Sequence, residues 1–124
     1  MSGAQRTLLE ANVAAVTAVI DAIRPGVKVR ELVAIGDRHL LEFGGEPSAL
    51  SKEWPLYGHG NGLFFEAPTI STRVGPDADF TLQENMVISI EMFFKREGVG
   101  EAGFENCVIV KSAGAELLTH TPML

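Results

Sequence analysis

The apolar pattern changes period once along the chain, and that change limits the fold more than any other feature. From Ala4 to Ile23, the residues Leu8, Leu9, Ala11, Val13, Val16, Val19, Ile20 and Ile23 approximate an i, i+3, i+4 stripe, as in a helix with one buried face. Pro25-Gly26 ends it, because proline pushes Arg24 out of the helical region. After the connector Val27-Lys28 the period resumes from Val29 to Phe43 through Leu32, Ile35, His39 or Leu40, and Phe43, with Gly44-Gly45 as the stop. Gly36 inside this second helix implies close packing against a neighbour. From Met86 to Phe94 the chain is instead β-branched and aromatic and reads as a strand. Gly98 to Gly103 reads as a glycine-rich turn, Phe104 to Lys111 as a second strand, and Gly114 as a turn before a short strand, Glu116 to Thr119. Between the two regimes, residues 44–57 carry Pro47 and Pro55 and read as loop, Phe64-Phe65 as strand or extended turn, and residues 71–84 as a polar surface loop. A helical hairpin followed by an antiparallel sheet is an α+β arrangement.

Bulk properties narrow the function classes. The 124 residues suit one domain or a large piece of one, and 46% hydrophobic content allows a real core. The net charge is -6, and the ten basic residues form no stripe, so nucleic acid is not the expected partner. No apolar stretch approaches the ~20 residues of a membrane span, and Met1 to Gln5 does not begin a signal peptide. Cys107 is the sole cysteine, which excludes an intrachain disulfide and a cysteine-based zinc site. A cytoplasmic location is expected.

Three polar residues stand in apolar or glycine-rich settings. His59 lies in Tyr57-Gly58-His59-Gly60-Asn61-Gly62, where glycines let a backbone approach closely and leave the imidazole accessible. Alone, it is equally a structural or exposed turn histidine. Glu91 shares a strand face with Val87, Ser89 and Phe93. Burying it requires a cation or a proton; Ser89 favours a wet face instead, whereas Val87 and Phe93 oppose one. Glu105 shares a face with Cys107 and Ile109, or is simply a solvated strand end beside the turn. Two neighbouring strands can aim both carboxylates at one spot, where His59 joins them. Mixed imidazole and carboxylate donors suit manganese, cobalt, iron or zinc. Cys107 reads as a small buried apolar residue, Asp77 and Asp79 as solvated surface, and nothing ties His39 or His120 to the cluster.

At these residues the chain resembles the "pita-bread" metallohydrolases: creatinase, prolidase, aminopeptidase P and methionine aminopeptidase. The resemblance is carried by Gly58-His59-Gly60-Asn61-Gly62, Glu66-Ala67-Pro68, Met86-Val87-Ile88-Ser89-Ile90-Glu91, Phe104-Glu105-Asn106-Cys107-Val108-Ile109-Val110 and Gly114-Ala115-Glu116-Leu117-Leu118-Thr119, in order across nearly the whole chain. It implies that residues 1–124 are the carboxyl-terminal half of a pita-bread catalytic domain. It also implies that His59, Glu91 and Glu105 are ligands of a two-ion divalent centre. His59 would bind one ion, Glu105 would bridge both, and Glu91 would also handle the proton of the attacking water, making Glu91 and His59 the catalytic residues. Two further aspartate ligands of the family would lie upstream; Asp21 and Asp37 do not match them, so only a partial site and a truncated, inactive chain are expected. The second family histidine, seven positions after the first, is replaced by Glu66, or by Phe65 if Glu-Ala-Pro is aligned. The expected activity is that of an Xaa-Pro aminopeptidase or prolidase on small peptides. The alternatives are a relative acting on another small molecule (a creatinase-like hydrolase or a sulfonium lyase) and a non-catalytic remnant. A half domain would expose an apolar seam, so a homodimer, or association with a missing half, is expected.

Overall fold

Ser2 starts the first helix: its hydroxyl accepts from Gln5 N–H at 3.2 Å, and the Gln5 side chain accepts Ser2 N–H at 2.8 Å, a reciprocal cap. The computed structural model describes residues 1–43, 56–71, 75–120 and 122. Helix α1 runs over Gly3–Asp21 and α2 over Val29–Glu42, as the stripes predict. The expected Gly44-Gly45 stop and the Pro47 and Pro55 loop lie outside the described residues. Five strands follow, β1 Leu56–Asn61, β2 Phe65–Ser71, β3 Val87–Arg96, β4 Gly100–Lys111 and β5 Gly114–Leu117. They form one sheet in the order β2-β1-β3-β4-β5 with every pair antiparallel. The class is therefore α+β.

The pleat of β3 divides the molecule. Ile88, Ile90, Met92 and Phe94 are fully buried and form one cluster with Leu8, Ala15, Val16, Val19 and Ile23 of the α1 region and Leu32 and Leu40 of α2. Asn12 of α1 reaches into this layer and donates to the Met92 carbonyl at 2.7 Å. The other face of β3, carrying Ser89 and Glu91, points away from the helices. The glycine at position 36 is explained by close packing: an added Cβ there would overlap the Tyr57 ring. Gly103 is covered in the same way by the ring of its cross-strand partner Phe93, an aromatic filling the space over a strand glycine.

Several sequence expectations change. Gly114 opens the last strand rather than the turn before it, and that strand ends at Leu117, not Thr119. The glycine cluster around His59 is a strand, not a turn, because Gly58 and Gly60 lie where a side chain would collide with the carbonyls of Ser89 and Ala67. The β3–β4 turn is shorter than Gly98 to Gly103: Arg96 already pairs with Gly100, and the positive φ of Gly98 (73°) closes the turn. The 71–84 segment is not wholly a polar surface loop. Leu82 is 1% exposed, and residues 78–82 clasp the interhelical connector through Leu82 N–H to Val27 O (2.8 Å), Gly26 N–H to Leu82 O (2.9 Å) and Val29 N–H to Phe80 O (3.0 Å). Residues 72–74 lie outside the described set.

Tyr57 locks β1 to α2. It is the extra residue where the β1–β2 register slips between Leu56 and Gly58, and its hydroxyl donates to Asp37 Oδ1 at 2.7 Å. Burial first, then the Asp37 carboxylate, pushes its phenol pKa far up. The unfolded chain releases this proton above about pH 10 while the folded chain retains it, so stability is full below that pH and falls as pH rises through it. Tyr57 is the sole tyrosine, so tyrosinate absorbance reports it alone. We expect no tyrosinate while the fold persists, and a Tyr57→Phe variant whose stability loses this alkaline slope. A phenol titrating near its ordinary value in the folded protein would contradict the buried hydrogen bond.

Candidate metal centre

The sheet register assembles the site. His59 on β1 lies opposite Ser89 on β3, and Glu91 on β3 lies opposite Glu105 on β4. All three side chains leave the sheet on the face turned from the helices. One ligand atom from each of His59, Glu91 and Glu105 lies within 4.8 Å of the others. His59 and Glu91 are each 6% exposed, and Glu105 is exposed. The sequence left open whether the Glu91 face is wet; Glu91 is buried there, beside an imidazole and across from a second carboxylate.

Bulges aim these groups. One register shift frees Tyr57 to turn toward α2, and a second falls between His59 and Gly60, where β2 carries extra residues. Such irregularities re-aim side chains near functional sites. His59 Nδ1 lies 2.9 Å from the Gly60 carbonyl. A carbonyl only accepts, so Nδ1 donates to it and Nε2 is the nitrogen turned toward the carboxylates. That atom is 3.4 Å from Glu91 Oε1. The spacing suits ligands held about 2.1 Å from one cation, which places tetrahedral neighbours about 3.4 Å apart. Glu91 and Glu105, directly opposite on neighbouring strands, add carboxylate oxygens to the imidazole nitrogen. The donor set therefore fits a divalent ion with nitrogen and oxygen preference.

Several neighbours were not singled out by the sequence. The Asn61 amide donates to Ser89 Oγ at 2.6 Å and to Cys107 Sγ at 3.3 Å, bracing β1, β3 and β4 on the site face. Cys107 is half-buried on this face rather than a core residue, and its N–H is held by Thr119 Oγ1 at 3.0 Å. The Phe65 ring lies over His59, with centroids 4.0 Å apart. The Gly-His-Gly-Asn-Gly alternation was the available signal for Asn61; for Phe65 it was the resemblance, which sets Phe65 or Glu66 at the place of the family's second histidine. Asp77 accepts Thr69 N–H from β2 at 2.8 Å, and Asp79, exposed as expected, pairs at the surface with Arg30 at 2.9 Å and Lys28 at 3.3 Å. His39 sits 3.9 Å from Glu42 on α2 and His120 is exposed near the terminus; neither belongs to the trio.

A helical hairpin packed on an antiparallel sheet, with one imidazole and two carboxylates on the far face, presents a donor set of the kind a divalent-metal protein carries. The sequence profile of metallopeptidase family M24 matches residues 1–112. A curated Xaa-Pro dipeptidase from Lactobacillus delbrueckii subsp. lactis is 29% identical over 117 residues, 94% of this chain and 30% of that protein. Among solved structures, the prolidase from Pyrococcus furiosus superposes with a TM-score of 0.79 at 29% identity, over 94% of this chain and 33% of that one. The X-Pro aminopeptidase from Thermotoga maritima MSB8 gives 0.81 at 26% identity, over 99% and 33%. The chain belongs to metallopeptidase family M24, a divalent-metal-dependent hydrolase family with the pita-bread fold, and spans about a third of the length of these relatives. Among the described residues no helix is long and apolar enough to cross a membrane.

A methyl group at Gly60 tests the close strand packing beneath the site. Gly60→Ala would drive Cβ into the Ala67 backbone, where nothing flexible can yield, and should cost about 1–3 kcal/mol. A urea unfolding midpoint equal to the parent's would contradict the packing.

Proposed function

We propose that this chain supplies the His59, Glu91 and Glu105 donors of a divalent-metal hydrolase site acting on Xaa-Pro peptides. The observation that carries this is the convergence of three ligand atoms within 4.8 Å, on a chain similar to an Xaa-Pro dipeptidase. His59 Nε2 and the two carboxylates would hold manganese, cobalt, iron or zinc. A bound divalent ion would lower the pKa of a water and polarise a carbonyl. Glu91 is the carboxylate suited to accept the water's proton and return it to the leaving amine. His59, with Nδ1–H committed to Gly60, keeps its Nε2 free of that proton traffic. Glu105, set across from Glu91, would hold the second side of the ion pair expected in this family. Three donors are part of a two-ion shell, so further donors come from outside the described residues.

Calorimetric titration of the purified protein with Mn2+ or Co2+ should show weak uptake of no more than one ion per chain, lost by at least about tenfold in His59→Ala or Glu91→Gln. Turnover of an Xaa-Pro dipeptide by the 124 residues alone should be little or none. Uptake unaffected by either substitution would remove the site. A second reading, a non-peptide small-molecule substrate, is favoured by the apolar Phe65 beside His59. Clear dipeptide turnover, with none of creatine-like or sulfonium compounds, would exclude it. Absence of any specific metal uptake would leave a non-catalytic remnant. A cytoplasmic site of action fits the free Cys107 thiol.

We also propose that another protein surface, a second copy or the remainder of a pita-bread domain, covers the tip of the β1–β2 hairpin. Leu63, Phe64 and Phe65 are 92%, 82% and 65% exposed there, an apolar run of the kind that marks contact sites. Sedimentation should show self-association that weakens in Leu63→Ser/Phe64→Ser; a monomer at high concentration would overturn this.

A further inference from the structure

We infer that Phe65 is a positioning residue for His59, holding the imidazole so that Nε2 stays aimed at Glu91 and Glu105. The inference rests on the metal-site reading above for its purpose, but the placement of the ring stands on geometry alone. Phe65 is 65% exposed, so its burial contributes little to the core and does not explain why a large aromatic stands there. Among the described residues its ring contacts His59, at a centroid separation of 4.0 Å and an interplanar angle of 43°. His59 itself is 6% exposed, so Phe65 forms part of the wall that shields the imidazole from water.

Two restraints then act on the imidazole from different directions. The bond from Nδ1–H to the Gly60 carbonyl, 2.9 Å long, lies near the ring plane and fixes which nitrogen points inward. The Phe65 ring, tilted 43° against the imidazole at 4.0 Å, occupies the space into which the imidazole would swing. Together they orient the Nε2 lone pair toward Glu91 Oε1, 3.4 Å away. The backbone supports the arrangement: Asn61 pairs with Phe65 across the β1–β2 hairpin, while the irregular register after His59 brings the Phe65 ring back over it. Groups behind a ligand commonly change metal affinity by about 10–100-fold without touching the ion. An apolar ring also keeps the local dielectric low, which strengthens attraction between the carboxylates and a cation.

The test compares Phe65→Leu with Phe65→Tyr in the full chain, using two readouts. The first is the proton NMR shifts of the His59 ring without metal, assigned among the three histidines by a His59→Gln variant. The second is the Co2+ dissociation constant. In the parent, the His59 ring protons should carry the upfield displacement that an overlying aromatic causes. Phe65→Leu should abolish that displacement and weaken Co2+ binding by about tenfold; Phe65→Tyr should restore both. The thermal midpoint should be nearly unchanged in each, as for an exposed side chain. Identical His59 shifts in parent and Phe65→Leu would overturn the inference, as would equal Co2+ affinities in a parent that binds the ion. If the parent takes up no Co2+, the metal-site reading falls by itself. The imidazole shifts then decide whether Phe65 positions the ring.

Discussion

The pairing of β3 with β4 is the constraint on which the site depends. Antiparallel register sets Glu91 directly opposite Glu105, and the two-residue period of a strand makes a one-residue slip intolerable. Such a slip would carry Ile88, Ile90 and Met92 out of the helix-packed layer and Glu91 into it. The same apolar burial that holds α1 and α2 on the sheet therefore keeps two acidic side chains face to face. A fold stabilised on one face thus holds three possible metal ligands together on the other.

Strand β1 adds the nitrogen donor by different means. Its glycines let it lie close to both β2 and β3, since side chains at Gly58 and Gly60 would strike neighbouring carbonyls. Its irregular register turns Tyr57 toward Asp37 on the helical side and His59 toward the carboxylates on the other. One short segment thus ties the site to the helical layer without a long lever between them. The clasp of residues 78–82 on the interhelical connector holds α2 where Tyr57 needs it.

Much of this was legible in the sequence, for identifiable reasons. Both helices and β3 announce themselves through local periodicity, because each buries one face over many residues. The three donor residues stood out by type, and the motif resemblance put them in order. The glycine motif misled: read locally it is a turn, but its glycines answer a tertiary demand for close strand approach that no local pattern records. The buried part of residues 71–84 was missed for a similar reason, since Phe80 and Leu82 are isolated apolar residues among polar ones and the partner of Leu82 is the distant Val27. Phe65 could not be placed over His59 because its position follows from a register shift, which spacing alone does not reveal.

The most direct measurement of the central claim is pulsed electron paramagnetic resonance on the Mn2+-loaded protein, with and without His59. Convergence of one imidazole and two carboxylates on a shared ion predicts coupling to a single histidine nitrogen that disappears in His59→Ala. Mn2+ with no nitrogen coupling, or a coupling that survives that substitution, would contradict it.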